Sequence, residues 1–266
     1  HWVSAFDRAV EPLRLPELNP AAPRPSARER AVVHRALRTL DRTETGALDE
    51  LAVARHSTPF ILVHTTLAAV LTRQSDAEVV TIGTALSGRI DPRLVSVPGL
   101  FARAVPLHTP IDVDLPFVDL LASVTEVDLG AFAHADLPLT EITEIADPGR
   151  VKAGTPLFEV SLGAVPDELV AASPAAAASV PSDASAFGGV PLFGVDVSMY
   201  RRDVALHLMM TCTDAVASAA RLDALCDLVV ETIRRGVREP NRTVAALLAP
   251  SDPTSVPDIA PENRIR

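Results

Sequence analysis

Aromatic residues are scarce in this chain, with one Trp, one Tyr and eight Phe among 266 residues. Cysteine is scarcer still. Cys212 and Cys226 stand apart, without the paired spacing of a metal site and too few for a disulfide framework. Basic residues are outnumbered 24 to 34 by acidic ones, giving a formal charge of −10. That balance argues against nucleic acid as a partner, because a phosphate backbone needs a positive face. No apolar run approaches the roughly 20 residues that span a bilayer; Phe60-Ile61-Leu62-Val63 is cut off at once by His64. The opening His1-Trp2-Val3-Ser4-Ala5-Phe6-Asp7 has neither the charged nor the apolar region of a secretory signal. A reducing, cytoplasmic setting is therefore expected, and the missing initiator Met reads as the mark of a piece of a longer protein. The chain also lacks Gly-x-Ser-x-Gly, His-Glu-x-x-His, Cys-x-x-Cys and Gly-x-x-x-x-Gly-Lys, which removes the commonest hydrolase, metalloprotease, redox and nucleotide-binding sites.

What remains is apolar and foldable: 48% hydrophobic residues against 22% charged, enough for a sizeable core. Residues 1–29 are rich in Pro and Arg with little periodicity and read as a linker or a wrapping segment. A strand is predicted over Glu29–Leu37 and a short helix over Gly46–Arg55, with Thr45 as its cap. Thr58-Pro59 is a strong helix start, and the helix to Arg73 is apolar on most sides, so it belongs deep in the core. Strands are predicted over Glu78–Thr84, Arg103–Leu107 and Phe158–Leu162, and helices over Leu115–Ala133 and Pro138–Ala146. Residues 165–189 turn to Ala, Ser and Pro and read as a mobile surface loop. A hairpin of Pro191–Met199 and Val204–Cys212 follows. Leu222, Leu225, Cys226, Val229, Val230 and Ile233 then mark one face of a long helix, and a last turn spans Val244–Leu248 before a tail over residues 251–266. Strands and helices in this order predict an α/β fold, a mixed sheet covered by helices.

Four spaced signatures fall between Val79 and Val160: Thr81-Ile82-Gly83-Thr84-Ala85-Leu86-Ser87-Gly88-Arg89, Pro98-Gly99-Leu100-Phe101, His134-Ala135-Asp136-Leu137-Pro138 and Thr155-Pro156-Leu157-Phe158-Glu159-Val160. Read from the residues alone, each has a structural meaning. The first is a strand ending in a turn where glycines supply backbone freedom, with Arg89 solvated or paired with Asp91. In the second, Phe101 and Val105 are core residues and Arg103 snorkels to water. The third is a corner in which Asp136 caps the helix begun by Pro138, with His134 at the end of the preceding helix. The fourth, with Arg150, is a loop entering a core strand at Pro156. His34, His56, His64 and His207 are scattered without ligand spacing and read as structural.

Order and spacing together resemble the second half of a nonribosomal peptide synthetase condensation domain. The resemblance implies one of two lobes, each similar to chloramphenicol acetyltransferase, covering residues 30–250, with residues 1–29 as a connector from a preceding lobe. It implies that Thr84, Ser87, Gly88, Arg89, Phe101 and Arg103 line the tunnel between lobes, and that Gly83, Gly99, His134, Asp136, Pro138 and Pro156 are motif positions of structural weight. The family's catalytic base lies in His-His-x-x-x-Asp-Gly, which this chain does not contain, so no catalytic residue and no metal ligand is assigned here. The implied reaction joins acyl groups that arrive on the phosphopantetheine of carrier proteins, with no bound cofactor. The implied partners are a first lobe, carrier proteins and neighbouring synthetase modules. The chain departs from the family at Arg103, Ala104 and His108, where Asn, Thr and Arg are usual. These departures motivate an alternative, a degenerate domain that binds a carrier or recruits a tailoring enzyme; a related O-acyltransferase lobe is a third reading. Gly83→Val is expected to disturb folding more than binding.

Overall fold

Apolar residues spaced by two and by three or four build one six-stranded sheet with helices against it. The computed structural model describes residues 1–8, 10, 13, 31–75, 77–89, 92–94, 96–99, 101–165 and 191–249. The expected loop and tail, and most of the connector, lie outside the described residues.

The elements, in chain order, are α1 (Trp2–Ala5), β1 (Val33–Leu40), α2 (Arg42–Ala54), α3 (Pro59–Ser75), β2 (Val79–Leu86), β3 (Arg103–Pro110), α4 (Phe117–Ala133), α5 (Leu139–Ala146), α6 (Pro148–Ala153), β4 (Val160–Ala164), β5 (Val195–Arg202), β6 (Ala205–Thr213), α7 (Ala219–Arg238) and α8 (Val244–Leu248). The sheet order is β1-β6-β5-β4-β2-β3. Strand β4 runs parallel to both β2 and β5, whereas the β1–β6, β5–β6 and β2–β3 pairs are antiparallel.

Helix α3 is the centre of the core. Every residue from Ile61 to Thr72 is buried, and the hydroxyls of Thr65 and Thr66 donate back to the Ile61 and Leu62 carbonyls, so polar side chains are tolerated there. His64 and Asp128, both fully enclosed, meet at 2.9 Å and tie α3 to α4. The predicted stripe of α7 is buried at all six positions against Leu206, Leu208, Met210 and Cys212 of β6 and Ala36 and Leu40 of β1. A second apolar cluster gathers Trp2, Val10, Val105, Leu107, Ile142 and Phe158 around the β3 edge.

Several boundaries differ from the sequence reading. Helix α2 starts four residues earlier than expected, because Asp41 and Glu44 form a reciprocal capping box: each carboxylate accepts the other's backbone N–H, at 2.9 and 3.0 Å. Thr45 is not the cap; its buried hydroxyl donates to Leu40 O and accepts from Leu206 N, stitching α2 to the hairpin. Strand β1 runs from Val33 to Leu40 because β6 continues opposite it to Leu206. Helix α6 was not foreseen, although Asp147 accepts from Gly149 N and Gly154 closes it at φ 65°. Helix α1 lies within the stretch read as a linker or wrapping segment and was not foreseen there.

Candidate functional site

Strand β2 delivers the first signature. Gly83 is required by contact rather than by conformation: a Cβ there would stand 1.8 Å from Phe158 Cε2. Thr84 is buried opposite Val105. Beyond the strand, Gly88 takes φ 64°, and an added Cβ would fall 1.9 Å from the Phe101 carbonyl oxygen, so the turn is doubly closed to other residues. Arg89 then folds back. Its guanidinium donates to the carbonyls of Leu94, Val97 (2.9 Å) and Gly99 (3.0 Å) and lies 4.6 Å from the Phe101 ring centroid. Arg89 therefore organises its own loop, and Asp91 lies outside the described residues. Phe101 is half-buried beneath this cation rather than a core residue.

Arg103 does not merely reach water. From the start of β3 it donates to the carbonyls of Ala135 (3.3 Å) and Asp136, and so bridges the second signature to the third. At that corner Asp136 is exposed and does not cap; Pro138 takes the N-cap position and α5 starts at Leu139. His134 ends α4 as expected. Its Nδ1–H donates to Gly130 O at 2.8 Å, its ring stacks on His1 at 4.3 Å, and its carbonyl accepts the Trp2 indole N–H at 3.0 Å.

Trp2 begins a strap along this edge of the lobe. Phe6 packs on the His108 ring, Arg8 pairs with Glu78 at 3.7 Å, and Val10 O accepts from Arg150 at 3.0 Å. Arg150 is buried; it also donates to Pro156 O at 2.7 Å and stands 3.8 Å from Glu159. Burial pushes the Glu159 carboxyl up, against the nearby Arg150 cation and the Leu13 N–H. The fourth signature is thus the anchor of the strap.

A cleft of about 430 Å³ opens between strap and sheet, lined by Trp2, Asp7, Pro106, His108, Val127 and Ala131. His108 Nδ1 meets the Thr81 hydroxyl at 2.8 Å, while its buried Nε2 has no hydrogen-bond partner of good geometry. Burial holds this imidazole down at about 4, against weaker support from the Arg8 carbonyl and Asp7, so it is neutral at pH 7. The sequence flagged His108 only as a departure. It missed the His64–Asp128 pair, whose signal was a His inside an apolar helix and an Asp on the apolar stripe of another.

Three signatures therefore converge at the β2–β3 end of the sheet, with Arg89 and Arg103 as organisers, while the fourth fastens the strap. No histidine among them sits with an acid and a reacting hydroxyl or thiol in a catalytic arrangement. Among the described residues no group of three or more His, Cys, Asp or Glu is placed to hold a metal ion, and no helix is long and apolar enough to cross a membrane.

The profile of the family described as Condensation domain matches residues 1–255. Over 115 residues the chain is 37% identical to a dimodular nonribosomal peptide synthase of Bacillus subtilis (strain 168), covering 43% of this chain and 5% of that protein. It is 27% identical over 214 residues to the probable non-canonical nonribosomal peptide synthetase CymA of Salinispora arenicola (strain CNS-205), covering 79% of this chain and 3% of that one. The chain thus spans only a small part of these relatives. Among solved structures, a four-domain nonribosomal peptide synthetase, holo-AB3403, superposes with a TM-score of 0.75 at 18% identity over 94% of this chain and 20% of that one. The X-domain from teicoplanin biosynthesis does so at 0.74 and 22% identity, over 92% of this chain and 55% of that one. These likenesses establish the chloramphenicol acetyltransferase-like fold.

Proposed function

The chain belongs to the condensation-domain family of nonribosomal peptide synthetases, and from that premise we propose that it is the second of the two lobes of a peptide-bond-forming domain. The observation that carries this reading is the convergence at the β2–β3 end. Arg89 holds the loop that carries Ser87, Gly88 and Phe101, and Arg103 ties β3 to the His134–Pro138 corner. This is a rigid wall without a catalytic base of its own. The base is the task of the His-His-x-x-x-Asp-Gly lobe, which these residues do not include.

In this reading, residues 30–250 form the lobe, and Thr84, Ser87, Gly88, Arg89, Phe101 and Arg103 serve the tunnel. Of these, Ser87 stands at the open strand end, and Thr84 acts from behind by packing. Arg89 and Arg103 are positioning residues. The acceptor amine attacks the donor thioester carbonyl, the C–N bond forms as the C–S bond breaks, and the amine's proton passes to the departing thiolate. The thioester supplies the driving force, and both acyl groups arrive on the phosphopantetheine of carrier proteins. The wall's contribution is orientation, which in favourable cases is worth about 7–11 kcal/mol of barrier. A second reading, a domain that recruits a partner without catalysis, is favoured by Arg103, Ala104 and His108 at positions where the family has Asn, Thr and Arg.

The test compares this chain with a protein extended by roughly 200 upstream codons, about one more lobe, using carrier-bound donor and acceptor thioesters. Amide product is expected from the longer protein alone, and its loss on replacing the second His of His-His-x-x-x-Asp-Gly. Turnover by this chain alone above background defeats the half-enzyme reading. An extended protein in which that motif is broken, and which binds carrier without turnover, favours the second.

A further inference from the structure

Strand alternation leaves one face of the hairpin unoccupied by the helical core. Arg38, Leu40, Leu206, Leu208, Val197, Met199 and Arg201 all turn toward α2 and α7 or the core beneath them. Their neighbours Thr39, His207, Tyr200 and Ser198 turn the other way. Thr39, His207 and Tyr200 lie side by side across three strands. The Thr39 hydroxyl meets His207 Nδ1 at 2.9 Å, and the Tyr200 and His207 rings stack at 5.0 Å with only 11° between their planes. Tyr200 and His207 are half-buried, and Thr39 is exposed.

Register places this row beside the signature loop. Ile82 is opposite Val160, and Val160 is opposite Val195. Ser87 follows the carboxyl end of β2, and Tyr200 lies near the carboxyl end of β5, two strands away in the sheet. The same alternation puts Gly83, Ala85 and Ser87 on the side of Tyr200, as the pairing of Gly83 with Ser161 and of Ser161 with Asp196 requires. From β2 to β6 is three strand spacings, roughly 14 Å. The row sits at the carboxyl ends of β2, β4 and β5, where open α/β sheets bind their ligands.

The surroundings are apolar and roomy. Leu37, Met209, Ser198 and Gly163 form the next row, and a Cβ added at Gly163 would meet nothing within 4 Å. The hairpin tip beyond is strained: Asp203 and Val204 both adopt left-handed backbone, at φ 50° and 68°, which a β-branched residue rarely accepts. Burial first and the Arg202 cation second push the His207 imidazole below its usual range, with Asp203 and the Arg202 carbonyl opposing.

We propose that Tyr200, His207 and Thr39 form a recognition patch on the tunnel wall for an uncharged aromatic side chain of a carrier-bound acyl group. This rests on the two-lobe reading above. A guest ring can continue the Tyr200–His207 stack toward the exposed Leu37 and the space beside Gly163. A cationic side chain gains nothing from the stack and meets the opposing charge of Arg202, with Asp203 at the hairpin tip the acid beside the imidazole.

Tyr200 is the chain's only tyrosine, so ring-labelled [13C]tyrosine gives signals from this residue alone. The whole chain is titrated with the 3-phenylpropanoyl thioester of N-acetylcysteamine and, separately, with the 6-aminohexanoyl thioester. The aromatic probe is expected to shift the Tyr200 signals saturably at millimolar concentration, and the cationic probe to leave them in place. His207→Ala should weaken the aromatic probe roughly tenfold, and Gly163→Leu, which fills the space without touching the stack, should abolish the shift. Equal response to both probes, or unchanged affinity in both variants, overturns the proposal. If Tyr200 stays silent while backbone amides between Thr84 and Arg103 move, the patch falls and the tunnel reading stands. If no thioester moves either region, both fall.

Discussion

Gly83 is a position where one added methyl group meets a ring with no room to yield. Its α-carbon faces the Phe158 ring, and Phe158 is itself enclosed with Phe193 at 4.6 Å, so the ring has nowhere to withdraw. Gly83→Ala should destabilise the chain by about 3 kcal/mol, lowering Tm by roughly 6–12 °C for a domain of this size; Gly83→Val should do worse. Phe158→Leu combined with Gly83→Ala should recover part of the loss, and a thermal double-mutant cycle reads that coupling. His108 makes a prediction in pH. In the unfolded chain its imidazole titrates near 6.5, whereas the folded ring refuses the proton down to about 4. The unfolded state thus binds more protons between these values, so the contribution is complete above about pH 6.5 and is lost as pH falls toward 4. Allowing for the open side of the cleft, it is on the order of 2 kcal/mol. Glu159, raised by burial, acts in the opposite sense, gaining stability as pH falls. The clean measurement is therefore the difference between wild type and His108→Gln in denaturant melts from pH 7 to 4: the variant's stability should fall less steeply.

At the scale of elements, the strap is where the fold chooses between two readings of the sequence. Its Pro- and Arg-rich composition suits either a linker or a wrapping segment, and the described residues wrap. Trp2 is buried, its indole is hydrogen-bonded to the α4–α5 corner, and Val10 is held by Arg150. Arg150→Met should cost about 3 kcal/mol, because it leaves Glu159 enclosed without its cation and Val10 O without its donor. The double variant Arg150→Met/Glu159→Gln should regain at least half of that, measured by chemical denaturation. A single variant as stable as the parent would mean that the strap is not fastened there. The same anchoring predicts that the Trp2 indole N–H exchanges with the slow amides of α3 and α4 rather than with fraying termini, which hydrogen exchange followed by NMR can check.

Over the whole molecule, the sheet and its helices behave as one packed unit, since α3 touches α2, α4, α7, α8 and β2. Urea unfolding should therefore be a single transition, coincident by Trp2 fluorescence and by far-ultraviolet circular dichroism. A Trp2 transition well ahead of the backbone would show that the strap peels away first. Single-transition behaviour also suits the proposed role of a wall held still while carrier-bound substrates come to it.

The long helices and the six strands were legible in the sequence. Hydrophobic spacing is a local property: the stripe of α7 and the alternation of β6 need no partner to be read. The four signatures and the family they point to were legible for the same reason. What the motif side chains do was not. Arg89 also gathers three carbonyls, and Arg103, exposed as read, also clamps a corner 32 residues away. Asp136 has the residue type of a cap but not the place of one. Backbone carbonyls look the same at every position in a sequence, so a guanidinium's choice among them depends on which loop the fold brings within reach. The strap, the His64–Asp128 pair and the Thr39–His207–Tyr200 row are likewise contacts between segments far apart in the chain, and only strand order and register decide them.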